Sequence, residues 1–273
     1  MTALRDFLLR HPRLFVLTGA GISTDSGIPG YRDEQGAWQR TPPVLLQDFL
    51  GSHAARQRYW ARSMVGWPIA AGAQPNAAHH ALATLQAQGR VAGLVTQNVD
   101  GLHQRAGSAG VIELHGTIAS ASCLACGERH ERAGIQRELE THNPDWLGLQ
   151  AEAAADGDAH LESEHFGRFR VPACRRCAGV LKPDVVFFGD SVPRERVQAA
   201  TQALEAADAV LVVGSSLMVY SGYRFCVWAE RMGKPVAALN LGRTRADAML
   251  SLKVAEPCGP ALTALVAALA ATA

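Results

Sequence analysis

A chain of 273 residues, 48% apolar and with a net charge of +1, can bury a large core as one domain or as a domain with an inserted lobe. Near neutrality excludes the basic footprint of a nucleic-acid binder and a polybasic membrane patch. Six cysteines, four of them clustered, are too few for a disulfide scaffold and point instead to metal.

Leu4, Phe7 and Leu8 recur at helical spacing and predict a short helix over residues 3–10, ended by Pro12. This stretch carries Asp6 and lacks the apolar core of a signal peptide. The longest apolar tract, 261–271, contains Thr263 and is too short to span a bilayer, so a soluble, cytoplasmic protein is expected. Leu14-Phe15-Val16-Leu17 reads as a buried strand running into Thr18-Gly19-Ala20-Gly21-Ile22-Ser23. Gly19 and Gly21 permit a tight turn and close backbone approach to a ligand. Ser23 or Thr24 is expected to cap a following helix whose free N–H groups face an anion. The next glycine is Gly27, not the third of a Gly-x-Gly-x-x-Gly fingerprint, so on its own the loop reads equally as a pyrophosphate site or a plain turn.

Residues 44–66 read as helical and basic, with Pro68 and Pro75 closing the section. Asn76 is expected to cap a helix over 79–88. Residues 91–95 form a second buried strand, and Thr96-Gln97-Asn98-Val99-Asp100-Gly101-Leu102-His103 crowds polar groups at its carboxyl end, where open α/β sheets bind ligands. A third strand, 111–114, runs into His115-Gly116.

Composition shifts over 117–179. Cys123-x-x-Cys126 and Cys174-x-x-Cys177 place four thiolates on two knuckles, which suits one tetrahedral zinc; four protein ligands leave no open position, so the ion is structural. The competing reading is a set of reduced core cysteines. Residues 131–170 hold nine acids against four bases and read as an insertion. Strands are then expected at 185–188, 209–213 and 236–239, with helices at 194–207 and 225–232 and a last apolar helix face at Leu262, Leu265, Val266 and Leu269. Alternating strands and helices imply an α/β fold, a Rossmann-like doubly wound parallel sheet with a smaller zinc-binding lobe inserted. The expected large lobe covers 1–40, 76–118 and 180–273; the small lobe covers 41–75 and 119–179.

These motifs, in this order, resemble the sirtuin family of NAD-dependent protein deacylases. The resemblance rests on residues 19–23, Gly27-Ile28-Pro29, 96–103, His115-Gly116, the cysteine pairs, Val185-Val186-Phe187-Phe188-Gly189, Gly214-Ser215-Ser216-Leu217 and Asn240. Gly30-Tyr31-Arg32, where most sirtuins carry Asp-Phe-Arg, and the long acidic segment look like the class II branch. The resemblance implies NAD lying across the carboxyl edge of the sheet. Gly19, Ala20, Gly21 and Ser23 would hold the pyrophosphate side. Ile28, Tyr31, Arg32, Gln97, Asn98 and Asp100 would surround the nicotinamide and its ribose. Gly214, Ser215, Ser216, Asn240, Leu241, Gly242 and Cys258 would line the adenosine end. Neither Glu34 nor Asp48 ends a strand as a ribose-gripping acid would, which argues against hydride transfer.

The resemblance also implies the reaction: the acyl-lysine oxygen attacks the ribose carbon as nicotinamide leaves, a base activates a ribose hydroxyl, and free lysine and O-acyl-ADP-ribose result. His115 is the expected base, with Asn98 orienting a ribose hydroxyl or water. The competing reading of His115 is a buried histidine satisfied by backbone. Val185, Val186, Phe187 and Phe188 would offer an edge to an extended acyl-lysine peptide. Tyr59 and Arg62 form a Tyr-x-x-Arg pair that in some sirtuins binds an acidic acyl group, Arg62 by a bidentate contact; a solvated helix face is the plainer alternative. Mono-ADP-ribosyl transfer and a non-catalytic NAD-binding module are the other functional readings. The expected partners are acyl-lysine proteins or peptides, with neither nucleic acid nor membrane, and a monomer is favoured.

Overall fold

The computed structural model describes residues 2–30, 33, 44–149, 158–159, 161 and 165–271. Tyr31 and Arg32 lie outside the described residues.

Helix α1 (Thr2–Arg10) buries Leu4, Phe7 and Leu8. Strand β1 (Leu14–Thr18) is buried at every residue because both faces are covered. Leu14 and Val16 face one core, with Leu82, Leu262 and Leu265, while Phe15 and Leu17 face a second core containing Leu204 and Phe225. The chain continues through α2 (Leu46–Gly51), α3 (His53–Gly72), α4 (Ala77–Ala87), β2 (Val91–Thr96), α5 (Leu102–Arg105), β3 (Ile112–Glu113), β4 (Gly116–Cys123), β5 (Arg129–Glu131) and α6 (Arg132–His142). It then forms β6 (Leu181–Val185), α7 (Arg194–Glu205), β7 (Ala209–Val213), α8 (Tyr220–Arg231), β8 (Val236–Leu239), β9 (Leu252–Val254) and α9 (Cys258–Ala270).

Six strands form a parallel sheet in the order β3-β2-β1-β7-β8-β9. The order reverses between β1 and β7, so the carboxyl ends of these two strands open a crevice. The second sheet, β5-β4-β6, is antiparallel and belongs to the small lobe.

Four expectations need correction. Residues 185–188 do not form a strand of the parallel sheet: β6 ends at Val185 and pairs with β4. No α-helix follows the first glycine turn; Ala20–Ile22 and Thr24–Ser26 are single 3-10 turns, and the Ser23 side chain makes no cap bond. Pro68 does not end its helix. It stands inside α3, where its missing N–H would orphan the Met64 carbonyl, and Gln136 Nε2 donates to that carbonyl at 2.9 Å from α6. Helix α8 begins at Tyr220, five residues before the expected Phe225.

The cap expected at Asn76 is present. Its side chain accepts from Ala78 N at 2.9 Å, and His79 Nδ1 accepts from Asn76 N at 3.3 Å. No described helix is long and apolar enough to cross a membrane.

Candidate active site and thiolate metal centre

The crevice at the switch point deepens into a cavity of about 1130 Å³ between the two lobes. One wall is the loop after β1, with Gly19, Ala20 and Gly21; the facing wall is the loop after β7, with Gly214, Ser215 and Ser216. The two loops are stitched by backbone bonds, Gly19 N to Val213 O at 3.2 Å and Gly21 N to Gly214 O at 2.8 Å. Gly214 has a φ of 58°, and a Cβ there would lie 2.4 Å from Ile22 N, so no larger residue allows the approach. Asn240, Leu241, Gly242 and Cys258 line the far end of the cavity. This glycine-walled trough at strand ends fits a dinucleotide.

Gln97, Asn98 and His115 reach the middle of the cavity. Gln97 Nε2 donates to Ser215 Oγ at 2.8 Å and joins the two walls. Asn98 spends its amide N–H groups on Gly19 O (3.1 Å) and Ser23 Oγ (3.0 Å), which leaves its carbonyl oxygen as its remaining polar group. Ser23, Ile28 and Asp100 are not among the residues that border this cavity. Ser23 is fully buried and donates to Asp100 Oδ2 at 2.8 Å, and Ile28 packs with Ala73 and Leu102. Thr24 and Asp25 line the cavity as well.

His115 sits in the turn between β3 and β4. Gly116 follows with a φ of 84°, and a Cβ there would collide with Asp184 O, so the turn brings the histidine hard against β6. The Gln97 carbonyl can only accept, so Nδ1, 2.8 Å away, carries the proton. Nε2 is then the basic nitrogen, and Ser221 Oγ lies 2.7 Å from it. Burial pushes the imidazole down to about 4; the Gln97 bond opposes this, and the charges of Arg196 and Arg224 reinforce it. The ring is neutral and able to accept a proton at physiological pH.

His103 is structural, as its position suggests. Its Nε2 lies 2.9 Å from Thr18 Oγ1, which also donates to Thr96 Oγ1 at 2.8 Å, binding β1 to β2.

Val185, Val186, Phe187 and Phe188 line the cavity mouth. Val186 N donates to His115 O at 2.8 Å, and Phe188 O accepts from Leu46 N at 2.9 Å. Phe187 turns into the small-lobe core against Phe49 and Tyr59, with ring centroids 5.0 and 5.2 Å away. Tyr59 also borders the cavity. Arg62 is not free to meet a substrate carboxylate. It is 3% exposed, its Nη2 pairs with Asp158 Oδ2 at 2.8 Å, and its Nε donates to Ala159 O at 2.8 Å. Asp158, brought in by the acidic segment, is the residue that lines the cavity.

Cys123, Cys126, Cys174 and Cys177 converge, their sulfurs all within 4.8 Å of one another. Cys123 and Cys177 sulfurs are 3.4 Å apart and those of Cys126 and Cys174 3.7 Å apart. Disulfide sulfurs would stand about 2.05 Å apart. Four thiolates around a tetrahedral zinc at about 2.3 Å stand about 3.8 Å from one another, so the donor set fits that ion. Backbone N–H groups, first that of Cys126, push the Cys123 thiol down to about 6, toward the thiolate a metal needs.

A Rossmann-like dinucleotide trough, a neutral histidine at its centre and a four-thiolate lobe define an NAD-dependent enzyme of the sirtuin type. A model of the Sir2 family matches residues 19–221. The protein named NAD-dependent protein deacetylase in Bordetella bronchiseptica (strain ATCC BAA-588 / NCTC 13252 / RB50) is 61% identical, covering 97% of each chain. Its namesake in Xanthomonas campestris pv. campestris (strain 8004) is 60% identical over 96% of this chain and 90% of its own. Among solved structures, a Sir2–p53 peptide–NAD+ complex superposes with a TM-score of 0.79 at 28% identity, covering 99% of each chain. The chain belongs to the Sir2 family.

Proposed function

We propose that the protein is an NAD-dependent protein-lysine deacylase that passes the acyl group to ADP-ribose with release of nicotinamide. The carrying observation is a neutral His115 whose Nε2 borders the cavity that the β1 and β7 loops share with Val186–Phe188. NAD supplies an electrophilic ribose carbon, a leaving group and ribose hydroxyls. The loops of Gly19–Gly21 and Gly214–Ser216 hold the pyrophosphate and adenosine ends. Asn98 orients a ribose hydroxyl through its carbonyl. His115 takes the hydroxyl proton, and its charge then rests on the bond to Gln97 O. An extended peptide lies along residues 186–189 and inserts its acylated lysine toward Tyr59.

The acyl groups accepted are uncharged, because the Arg62 guanidinium, behind the cavity-lining Asp158, is neutralised by it. The thiolate lobe braces small-lobe strands and takes no part in the chemistry. A cytoplasmic location follows from the same thiol content: all six cysteines are free of disulfides.

The test is a panel of acyl-lysine peptides incubated with NAD and read by the mass of the ribose product. Acyl-ADP-ribose formation with acetyl and other neutral groups is expected. Nicotinamide release that ignores the acyl peptide would replace this reading with mono-ADP-ribosyl transfer.

A further inference from the structure

Ser221 has no place in the sequence reading, yet its hydroxyl is the nearest polar group to the basic nitrogen of the site. It lies in the first turn of α8, borders the cavity and stands 2.7 Å from His115 Nε2. A neutral imidazole with its proton on Nδ1 has one in-plane lone pair, at Nε2. That lone pair is already occupied by the Ser221 O–H. A ribose hydroxyl entering the cavity therefore meets Ser221 Oγ on the same line.

The placement is built rather than incidental. Gly222 packs directly on Gln97, where a Cβ would lie 2.5 Å from Oε1. The carbonyl of that same Gln97 holds Nδ1. Tyr220, on the other side of Ser221, is faced by Arg224 and Arg245, with guanidinium carbons 5.4 and 5.8 Å from its ring centre. The packing of Gly222 on Gln97 thus seats the first turn of α8 beside His115, and Ser221 Oγ meets its Nε2.

We propose that Ser221 relays the proton: the ribose O–H breaks, its proton moves to Ser221 Oγ, and the Ser221 proton moves to His115 Nε2. The ribose oxygen keeps the electron pair and uses it to bond the acyl carbon, whose C=N π pair moves onto the lysine nitrogen, so the positive charge passes from that nitrogen to the ring. Serine ends as a neutral hydroxyl and histidine as imidazolium, so atoms and charge balance without a further reactant. Once the ring is charged, Nε2–H donates to Ser221 Oγ, a role that the rotating hydroxyl can fill and a fixed donor cannot. This inference rests on the deacylase reading.

Two measurements test it. The first needs no turnover: nitrogen-15 NMR of His115 in the NAD-free protein. The expected result is a protonated Nδ1 with a hydrogen-bonded, unprotonated Nε2 whose resonance moves toward that of a free lone pair in Ser221→Ala. A protonated Nε2, or no movement in Ser221→Ala, overturns the relay. The second is kinetic. Ser221→Ala is expected to lower the ratio of acyl-ADP-ribose formed to nicotinamide exchanged by at least about tenfold, within the range of one lost acid–base contact. Ser221→Thr restores the ratio. Product formation in the unsubstituted protein is expected to give a curved proton inventory, two protons moving, and in Ser221→Ala a linear one. An unchanged ratio, or a parallel loss of exchange and product, overturns the relay. Failure of the deacylase reading is distinct: the unsubstituted protein would release no nicotinamide in response to acyl peptide, while the NMR result would still decide the hydrogen bond.

Discussion

Arg62 and Asp158 meet as a buried ion pair, Nη2 to Oδ2 at 2.8 Å, across 96 residues of sequence. The pair pins the acidic segment to α3, where the Asp158 backbone lies so close to Gly66 that no Cβ fits between them. Removing either partner breaks a buried, hydrogen-bonded charge pair. Arg62→Ala and Asp158→Ala are each expected to lose about 3–5 kcal/mol, and the double variant less than the sum. Denaturant titration of all four proteins checks this. Asp158→Asn leaves the buried Arg62 guanidinium uncompensated directly behind the cavity-lining residue 158. It is expected to raise the succinyl-to-acetyl preference by about tenfold, the weight of one charged hydrogen bond of about 1.5 kcal/mol. An unmoved ratio would remove Arg62 from any account of acyl choice.

His115 is held low by burial, to about 4, so its base form is complete well below the ordinary histidine value. The acid limb of kcat/KM, which reports the free enzyme, is expected near pH 4 rather than near 6.5. His115→Ala is expected to cut product formation by about 10²–10⁴ while NAD still binds. Rate profiles and calorimetric NAD binding check the two halves.

The metal lobe predicts one zinc per chain. Cys126→Ser, or treatment with a strong chelator, is expected to release it and to lower the unfolding temperature, because the metal-binding energy is folding energy for the strands it ties. Released zinc is counted with a chromogenic chelator alongside the thermal melt. A chain that carries no zinc when purified without chelator would refute the assignment.

Two further histidines tie stability to pH. Burial pushes His79 down to about 4 and His103 to about 3. Both are neutral in the fold, and the unfolded chain takes up their protons first. Their contribution is complete above the unfolded value of about 6.5 and is lost as pH falls toward 4 and 3. Urea unfolding is expected to show falling stability from pH 7 to pH 5, with a flatter slope in His103→Gln.

Much of the architecture is legible in the sequence, and particular residues show where legibility stops. The continuous apolar runs at 14–17, 91–95, 209–213 and 236–239 each became parallel strands, because a sheet covered on both faces demands them. Asn76 read correctly as a cap, a purely local feature. Leu252–Val254 escaped notice: three residues with a lysine in the middle carry no periodicity, and only the open edge of β8 makes them a strand. The run 185–188 misled because Val185 and Phe187 serve the small-lobe core rather than the main sheet. Pro68 misled because its remedy, Gln136, comes from a helix far along the chain. In the site, the glycine loops and His115 take their roles from the family resemblance of the ordered motifs, while the cysteine pairs announce themselves by spacing. The partners of Arg62 and of His115 Nε2 do not, since each depends on a tertiary meeting that no local pattern encodes.

The bond from Val186 N to His115 O joins the imidazole-bearing turn to the 186–188 segment at the cavity mouth. A lysine side chain has a bounded reach, so on the proposed peptide path this rung acts as a calliper: it sets how far the attachment point of the substrate stands from the proposed proton acceptor. If the lobes rock as cargo enters, the two jaws of that calliper travel together. Loosening the rung would therefore misplace every substrate equally, whatever its flanking residues.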